Sequence, residues 1–113
     1  MASRALMKPE WQSYCDRVSK GLAGKRAEIE VTGLSLGDQI AAKSLPLLGI
    51  TYDSKGDLLE IALEGLDHLI HRPHGISVEE GPEGLTSMEI VDSDGRRQIV
   101  KLAEPLMLPA PRK

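Results

Sequence analysis

The segment Leu45-Pro46-Leu47-Leu48-Gly49-Ile50-Thr51-Tyr52-Asp53-Ser54-Lys55-Gly56-Asp57-Leu58-Leu59-Glu60-Ile61 decides the fold class of this chain. Its two apolar runs flank Asp53-Ser54-Lys55-Gly56-Asp57, where the Asp and Gly residues suit a tight turn. The same arrangement returns at residues 88–100, around Asp92-Ser93-Asp94-Gly95. Both stretches predict β-hairpins, and strands joined by hairpins pair antiparallel.

The residues before the first hairpin predict one helix and at least one further strand. Residues 9–22 are predicted to be helical, with Pro9 in the first turn, because one apolar stripe recurs at helical spacing: Trp11, Tyr14, Cys15, Val18 and Leu22. After Gly24 the period changes to alternation, with Ala27, Ile29 and Val31 on one face of a strand. Weaker or shorter strands are predicted at residues 39–45, 67–72 and 76–80, the last two separated by Pro73.

These elements predict an α+β fold in a single domain of 113 residues. We expect one N-terminal amphipathic helix packed on a strongly curved, mostly antiparallel sheet or open barrel of seven to eight short strands. A sheet of that length must curl, close or be covered to protect its edges. The expected organisation is a flexible N-terminus (1–8), the helix (9–22), the sheet (25–102) and a Pro-rich tail (103–113).

Composition and charge exclude several classes of protein. Cys15 is the only cysteine, so no internal disulfide forms, and residues 1–10 hold no apolar run of signal-peptide length. A soluble cytoplasmic protein is therefore expected. Nucleic acid is not an expected partner, because aromatic residues are scarce and ten carboxylates crowd the middle of the chain against one base, Arg72. The carboxylates are Asp57, Glu60, Glu64, Asp67, Glu79, Glu80, Glu83, Glu89, Asp92 and Asp94.

Several segments occur in an order that is similar to a known family. They are Trp11, Gly24, Ile29-Glu30-Val31, the segment 45–53, Asp67-His68-Leu69-Ile70, Pro73, Ile76 with Val78, Met88-Glu89-Ile90 and Asp94-Gly95. The chain resembles a family of short bacterial proteins known only as a domain of unknown function (number fifty-three thirty-five). The likeness runs from about Pro9 to Leu102. It implies a bacterial origin and a shared fold, and it supplies no catalytic residues.

The histidines are the candidates for a metal site. His68, His71 and His74 follow Asp67 at intervals of three residues. On a helix, His68 and His71 would share a face and suit zinc or nickel. In a strand they point to opposite sides, and Pro73 prevents a helix from continuing. The strand interpretation is favoured, so we expect surface histidines, no metal and no cofactor.

Cys15 lies on the apolar stripe of the helix, which predicts burial and a raised thiol pKa rather than a nucleophile.

The C-terminal tail offers candidate contact residues. In the Pro-rich tail, Leu106, Met107 and Leu108 are three successive apolar residues. They suit addition to a sheet edge of a second subunit, docking in a groove, or closure of this chain's own sheet.

No motif for catalysis or phosphate binding occurs in the sequence, which favours a protein that is not an enzyme. The leading hypothesis is a non-catalytic binding or assembly module, with a homodimer formed through sheet edges or through residues 106–108. One alternative is a small metalloprotein or enzyme that uses the histidine cluster. Another is a small-ligand binder inside the curled sheet, with Trp11 and Tyr52 as wall residues. Nucleic acid and membrane partners are not expected.

Overall fold

The computed structural model describes residues 2–21, 25–33, 37–82 and 84–106. The chain is α+β, with one helix near the N-terminus and an eight-stranded antiparallel sheet. In chain order the elements are β1 (Ala2–Leu6), a 3-10 turn (Lys8–Glu10), α1 (Trp11–Lys20), β2 (Arg26–Gly33), β3 (Gly37–Asp53), β4 (Leu58–Leu63), β5 (Leu66–His71), β6 (Gly75–Gly81), β7 (Gly84–Val91) and β8 (Arg97–Leu106). Both predicted hairpins are present, as β3–β4 and β7–β8.

The sheet is open, with the strand order β1-β6-β7-β8-β2-β3-β4-β5. Among the described strands, β1 pairs with β6 alone and β5 pairs with β4 alone. The two outermost strands therefore do not join, and the sheet is neither closed nor strongly curled. This corrects the expectation of a strongly curved sheet or open barrel. Edge strands can remain open in an antiparallel sheet when helices, turns or charges protect them.

The 17-residue strand β3 belongs to both parts of the sheet. Residues up to Pro46 pair with β2, and residues from Leu47 onward pair with β4. The sequence pattern predicted two separate strands here, at residues 39–45 and 47–52. Pro46 instead lies where β3 passes from one partner strand to the other. Just before it, Ser44 has a positive φ of 37°, and the register with β2 shifts.

The sheet extends further at both ends of the chain than the sequence indicated. Residues 2–6, assigned to a flexible N-terminus, form β1 and pair with β6, with Arg4 opposite Val78. Residues 103–106, assigned to the tail, continue β8, and Leu106 lies opposite Leu85 in β7. Met107 and Leu108 lie outside the described residues.

The helix α1 covers the core side of the sheet. Trp11, Tyr14, Cys15 and Val18 on its apolar stripe are all buried, as the helical spacing predicts. The Ser19 hydroxyl donates to the Ile50 carbonyl over 2.7 Å and accepts from the Ile50 N–H over 3.0 Å, which fixes α1 on β3. No helix among the described residues has the length and apolar character needed to cross a membrane.

The core is built mainly from aliphatic side chains, and it also contains all three aromatic residues, Trp11, Tyr14 and Tyr52. Its members come from α1 and from all eight strands, and most of the strand residues alternate with polar ones. They include Leu6, Ala27, Ile29, Leu47, Ile50, Leu59, Ile61, Leu63, Ile70, Ile76, Val78, Leu85, Met88, Ile90, Val100 and Leu106.

Candidate functional site

The strand β5 forms one end of the sheet. It follows β4 after a turn of two residues, Glu64 and Gly65, and Gly65 takes a positive φ of 81° at the second turn position, where a type II turn favours glycine. The register then runs without a shift from Leu63 opposite Leu66 to Leu58 opposite His71. A regular edge strand of this kind presents backbone N–H and C=O groups for pairing with another chain.

The two faces of β5 differ in chemistry. Leu66, His68 and Ile70 lie opposite the buried Leu63, Ile61 and Leu59 of β4, so they occupy the core face. Asp67, Leu69 and His71 alternate with them and occupy the outer face. Both leucines of the strand are partly exposed, Leu66 by 37% and Leu69 by 46%. The end of the sheet therefore carries apolar surface beside the carboxylate and the imidazole.

The hydrogen-bond pattern shows which peptide groups of β5 point away from β4. The Arg72 N–H donates to the Asp57 carbonyl over 2.7 Å, so this pair is of the hydrogen-bonded type. Such pairs alternate along an antiparallel ladder, so residues 70, 68 and 66 bond to β4. The N–H and C=O groups of Asp67, Leu69 and His71 then face the other way. We call these three peptide groups the β5 edge.

A network of polar groups connects β5 to the β7–β8 turn. The Gln98 side-chain amide donates to Asp92 Oδ2 over 2.8 Å, and Gln98 Oε1 contacts His68 Nε2. Asp92 Oδ1 also accepts from the N–H groups of Asp94 and Arg96, each over 2.9 Å. Asp92 and Gln98 are buried, with 7% and 8% exposure. His68 thus contacts β8 from the core face of β5.

The hydrogen-bond partners in this polar network indicate which ring nitrogen of His68 acts as a donor. A carboxylate only accepts hydrogen bonds, so the Gln98 nitrogen faces Asp92 and the Gln98 oxygen faces His68. An amide oxygen only accepts, so His68 Nε2 carries a proton. Burial opposes the charge on Asp92, but the hydrogen bonds from Gln98, Arg96 and Asp94 outweigh it and hold the pKa of the Asp92 carboxyl below its usual value. The charged Asp92 carboxylate therefore orients the Gln98 amide, and the Gln98 amide in turn orients the His68 ring.

The three histidines are not brought together. His68 lies on the core face of β5, His71 lies on its outer face, and His74 lies in the segment between β5 and β6. The described residues contain no group of three or more His, Cys, Asp or Glu side chains placed to hold a metal ion. This placement gives no support to a metal site at Asp67, His68, His71 and His74.

Trp11 and Tyr52 contact each other inside the core. Each is 3% exposed, and their rings meet edge to face with centroids 5.2 Å apart. Trp11 Nε1 donates to the Leu6 carbonyl over 3.2 Å, and the Tyr52 hydroxyl donates to Asp57 Oδ1 over 2.7 Å. Burial and the Asp57 carboxylate raise the pKa of Tyr52 to about 12. Both residues serve the packing of α1 on β3, which gives no support to a ligand wall or partner surface there.

Two further candidates from the sequence are buried side chains. Leu106 is 2% exposed at the end of β8, so it packs within its own chain. Cys15 has no exposed surface, and burial, followed by the negative charge of Asp16, raises the pKa of its thiol to about 12. A protonated, inaccessible thiol is a poor nucleophile.

The outer face of the sheet holds a shallow polar groove of about 250 Å³ across β1, β6, β7 and β8. Several of its polar groups interact with protein partners: Lys101 pairs with Glu30 over 2.7 Å, and Ser87 donates to Glu79 over 3.4 Å. The polar lining residues are Ser3, Ser77, Glu79, Ser87, Glu89 and Lys101. The groove carries no group whose geometry requires a ligand.

Sequence reasoning missed two features of the site, the buried hydrogen bond between Asp92 and Gln98 and the exposed leucines of β5. Asp92 reads as a turn residue, and its bond to Gln98 emerges only when β7 pairs with β8. Leu66 and Leu69 are exposed because β5 is outermost, and strand order is not visible in a local pattern. One signal was available in the segment Leu66-Asp67-His68-Leu69. Leu69 falls on the outer face of a strand whose core face holds Leu66, which indicates apolar surface on the outside of the sheet.

Comparison with known proteins gives a family and one relative. The model of the family described as "Family of unknown function (DUF5335)" matches residues 2–111. An uncharacterized protein of the bacterium Aquifex aeolicus (strain VF5) is 40% identical over 110 residues, which span 96% of this chain and 99% of the relative. No solved structure matches the chain.

Proposed function

This chain belongs to the DUF5335 family, as the sequence resemblance predicted, and we propose that it is a non-catalytic assembly module that joins a second copy of itself through an edge of its sheet. The observation that carries the proposal is the exposed apolar surface on an outermost strand. Leu66 and Leu69 belong to β5, which pairs only with β4 among the described strands. An open strand edge offers main-chain hydrogen bonds to an added strand, and exposed apolar surface marks sites of protein contact.

The other edge of the sheet is less suited to pairing. At the centre of β1 stands Arg4, whose guanidinium contacts Glu10 over 3.0 Å and Glu80 over 3.7 Å. A cation at the middle of an edge strand discourages addition of another strand, because the charge must be desolvated or matched. The strand β5 contains no Lys, Arg or Pro and no bulge. The proposal therefore places the contact at β5.

The C-terminal segment takes a different place in the proposal than the sequence suggested. Leu106 is buried against its own sheet, so it is not available to a second subunit without opening the core. The assembly is therefore assigned to the sheet edge and not to residues 106–108. No metal, cofactor or reaction is part of this proposal, and the cytoplasm remains the proposed location.

Sedimentation velocity from about 1 µM to about 1 mM tests the proposal, since weak edge contacts saturate in that range. The mass should rise with concentration from the 12.3 kDa of one chain to twice that value. Leu69→Lys should weaken the association at least tenfold. Leu48→Lys is the matched control, because Leu48 is more exposed, at 61%, but lies on β3 inside the sheet. A wild-type protein that stays monomeric throughout this range would overturn the proposal.

A further inference from the structure

The outward peptide groups of β5 limit the ways in which two copies of the strand can pair. Antiparallel partners lie on the same face of a sheet, so a two-fold axis through the strand pair keeps core face with core face. Only registers that match outer residues with outer residues satisfy this condition. The candidates differ by which residue meets itself on the axis: His68, Leu69 or Ile70.

The register with Leu69 on the axis uses the whole β5 edge. It places Leu69 opposite Leu69, and Asp67 opposite His71 on both sides of the axis. All three outward peptide groups of each copy then pair, which gives about six backbone hydrogen bonds. Centring on His68 brings Gly65 of the turn opposite His71 and leaves about four bonds. Centring on Ile70 brings Pro73, which has no N–H, opposite Asp67.

The side chains agree with the same register. The Asp67 carboxylate of one copy meets the His71 imidazole of the other, and the second such pair follows from symmetry. An imidazole N–H donates to a carboxylate, and cross-strand pairs of this kind stabilise a sheet. The partly exposed Leu69 side chains meet between these two pairs and cover each other. A centred self-pairing of β1 would instead oppose Arg4 to Arg4, which is destabilising.

We infer that two copies of this chain form a closed dimer by pairing β5 with β5 antiparallel, with Leu69 opposite Leu69 and Asp67 opposite His71. This inference rests on the proposed function and specifies its partner and register. Because the contact is two-fold symmetric, each copy uses its β5 edge once and no further chain can add there. The dimer is a continuous sheet of sixteen strands, eight from each copy, with the two β1 strands at its ends.

Disulfide crosslinking tests the register directly. In the inferred dimer the two Cα atoms at position 69 are about 5.5 Å apart, within the range that a disulfide spans. Leu69→Cys should therefore crosslink to a dimer under mild oxidation at concentrations where the wild type is dimeric. Asp67→Cys is the matched control in the same strand, because its two copies are roughly 14 Å apart along the pair. The native Cys15 is fully buried and does not compete.

A charge exchange tests the cross-strand pairs independently. Asp67→Lys and His71→Glu should each weaken the dimer at least tenfold, since each places like or unmatched groups opposite one another. The double variant should recover most of the wild-type affinity, because the pairs are restored with exchanged sign. Both positions are exposed, so these variants leave the core unchanged.

The outcomes separate the register from the assembly. Crosslinking at Leu69→Cys and not at Asp67→Cys, with recovery in the double variant, supports the inference. A dimer by sedimentation that crosslinks at neither position, or at Asp67→Cys, overturns the register and leaves the assembly proposal standing. A wild-type monomer at all concentrations, together with no crosslink at Leu69→Cys, overturns both.

Discussion

Asp92 and Gln98 join the β7–β8 turn to the opposite part of the sheet: the Gln98 amide donates to the Asp92 carboxylate over 2.8 Å while its oxygen contacts His68 of β5. The same carboxylate also accepts the backbone N–H groups of Asp94 and Arg96. Three residues therefore donate to one buried acid, and a fourth, His68, is oriented by it through Gln98. This relationship positions the core face of β5, whose outer edge we assign to assembly. The network is therefore part of the structure that presents the contact surface.

Replacing Asp92 should be costly to folding. Asp92→Ala leaves the Gln98 amide and two backbone donors without their acceptor, which should lower the free energy of unfolding by about 2–3 kcal/mol. Urea denaturation followed by circular dichroism measures the loss. Asp94→Ala is the control in the same turn, because the Asp94 carboxylate is 66% exposed and forms an exposed ion pair with Arg96, so the loss should stay below about 0.5 kcal/mol. Equal stability of Asp92→Ala and the wild type would refute the role of the network.

The pKa of Asp92 predicts how stability depends on pH. The folded-state pKa lies below the usual 3.8, so near and below that pH the unfolded chain binds more protons than the folded one. The contribution of Asp92 is thus fully present above about pH 5 and is lost as the pH falls through the folded-state pKa. The difference in unfolding free energy between the wild type and Asp92→Asn should shrink between pH 6 and pH 3. A difference that stays constant over this range would contradict the assignment.

Trp11 should behave as a core residue. Trp11→Ala removes a side chain with 3% exposure and its edge-to-face contact with Tyr52, so the free energy of unfolding should fall by about 3–5 kcal/mol. Met7→Ala, at a side chain with 70% exposure, is the control and should change stability by less than about 0.5 kcal/mol. Thermal unfolding by circular dichroism suits both, since Trp11→Ala removes the only tryptophan. A loss below about 1 kcal/mol would favour an accessible role for Trp11.

The thiol of Cys15 should be unreactive toward thiol reagents in the folded protein. It has no exposed surface, and its pKa is raised to about 12, so it stays protonated at pH 8. A thiol reagent should label the native wild type only as fast as the protein opens, and label the guanidinium-unfolded chain at one thiol per chain. In Lys55→Cys, the added thiol on the exposed β3–β4 turn should react at once in the native state. Rapid labelling of the native wild type would show that Cys15 is accessible to the reagent and would contradict its burial beneath α1.

The sequence predicted those parts of the fold that local chemistry determines. The apolar stripe of α1 and the Asp- and Gly-containing turns specify a helix and two hairpins without any knowledge of distant residues. The strand β1 was not predicted, because residues 2–6 alternate poorly and gain their partner at Ile76 to Glu80, far along the chain. The continuity of β3 was not predicted either, since Pro46 appears as a break until two different partner strands are known to meet there.

The candidate site likewise combines features that the local sequence predicts with features that depend on distant strands. The sequence places His68 and His71 on opposite faces of a strand, which the structure has, but it cannot show that the strand is outermost. Trp11, Tyr52 and Leu106 carry apolar chemistry that suits either a surface or a core, and only their packing decides. Burial depends on which strands become neighbours, and that is settled by pairing energies summed over the whole sheet.

Amide hydrogen exchange at Asp67, Leu69 and His71 is the most direct test of pairing through β5. These N–H groups point away from β4, so in the monomer they should exchange quickly, and in the dimer they should be bonded to the second copy. Measured by NMR at about 20 µM and at about 1 mM, their protection should rise with concentration, while the amides of β1 should not change. Fast exchange of all three amides at every concentration would contradict the account.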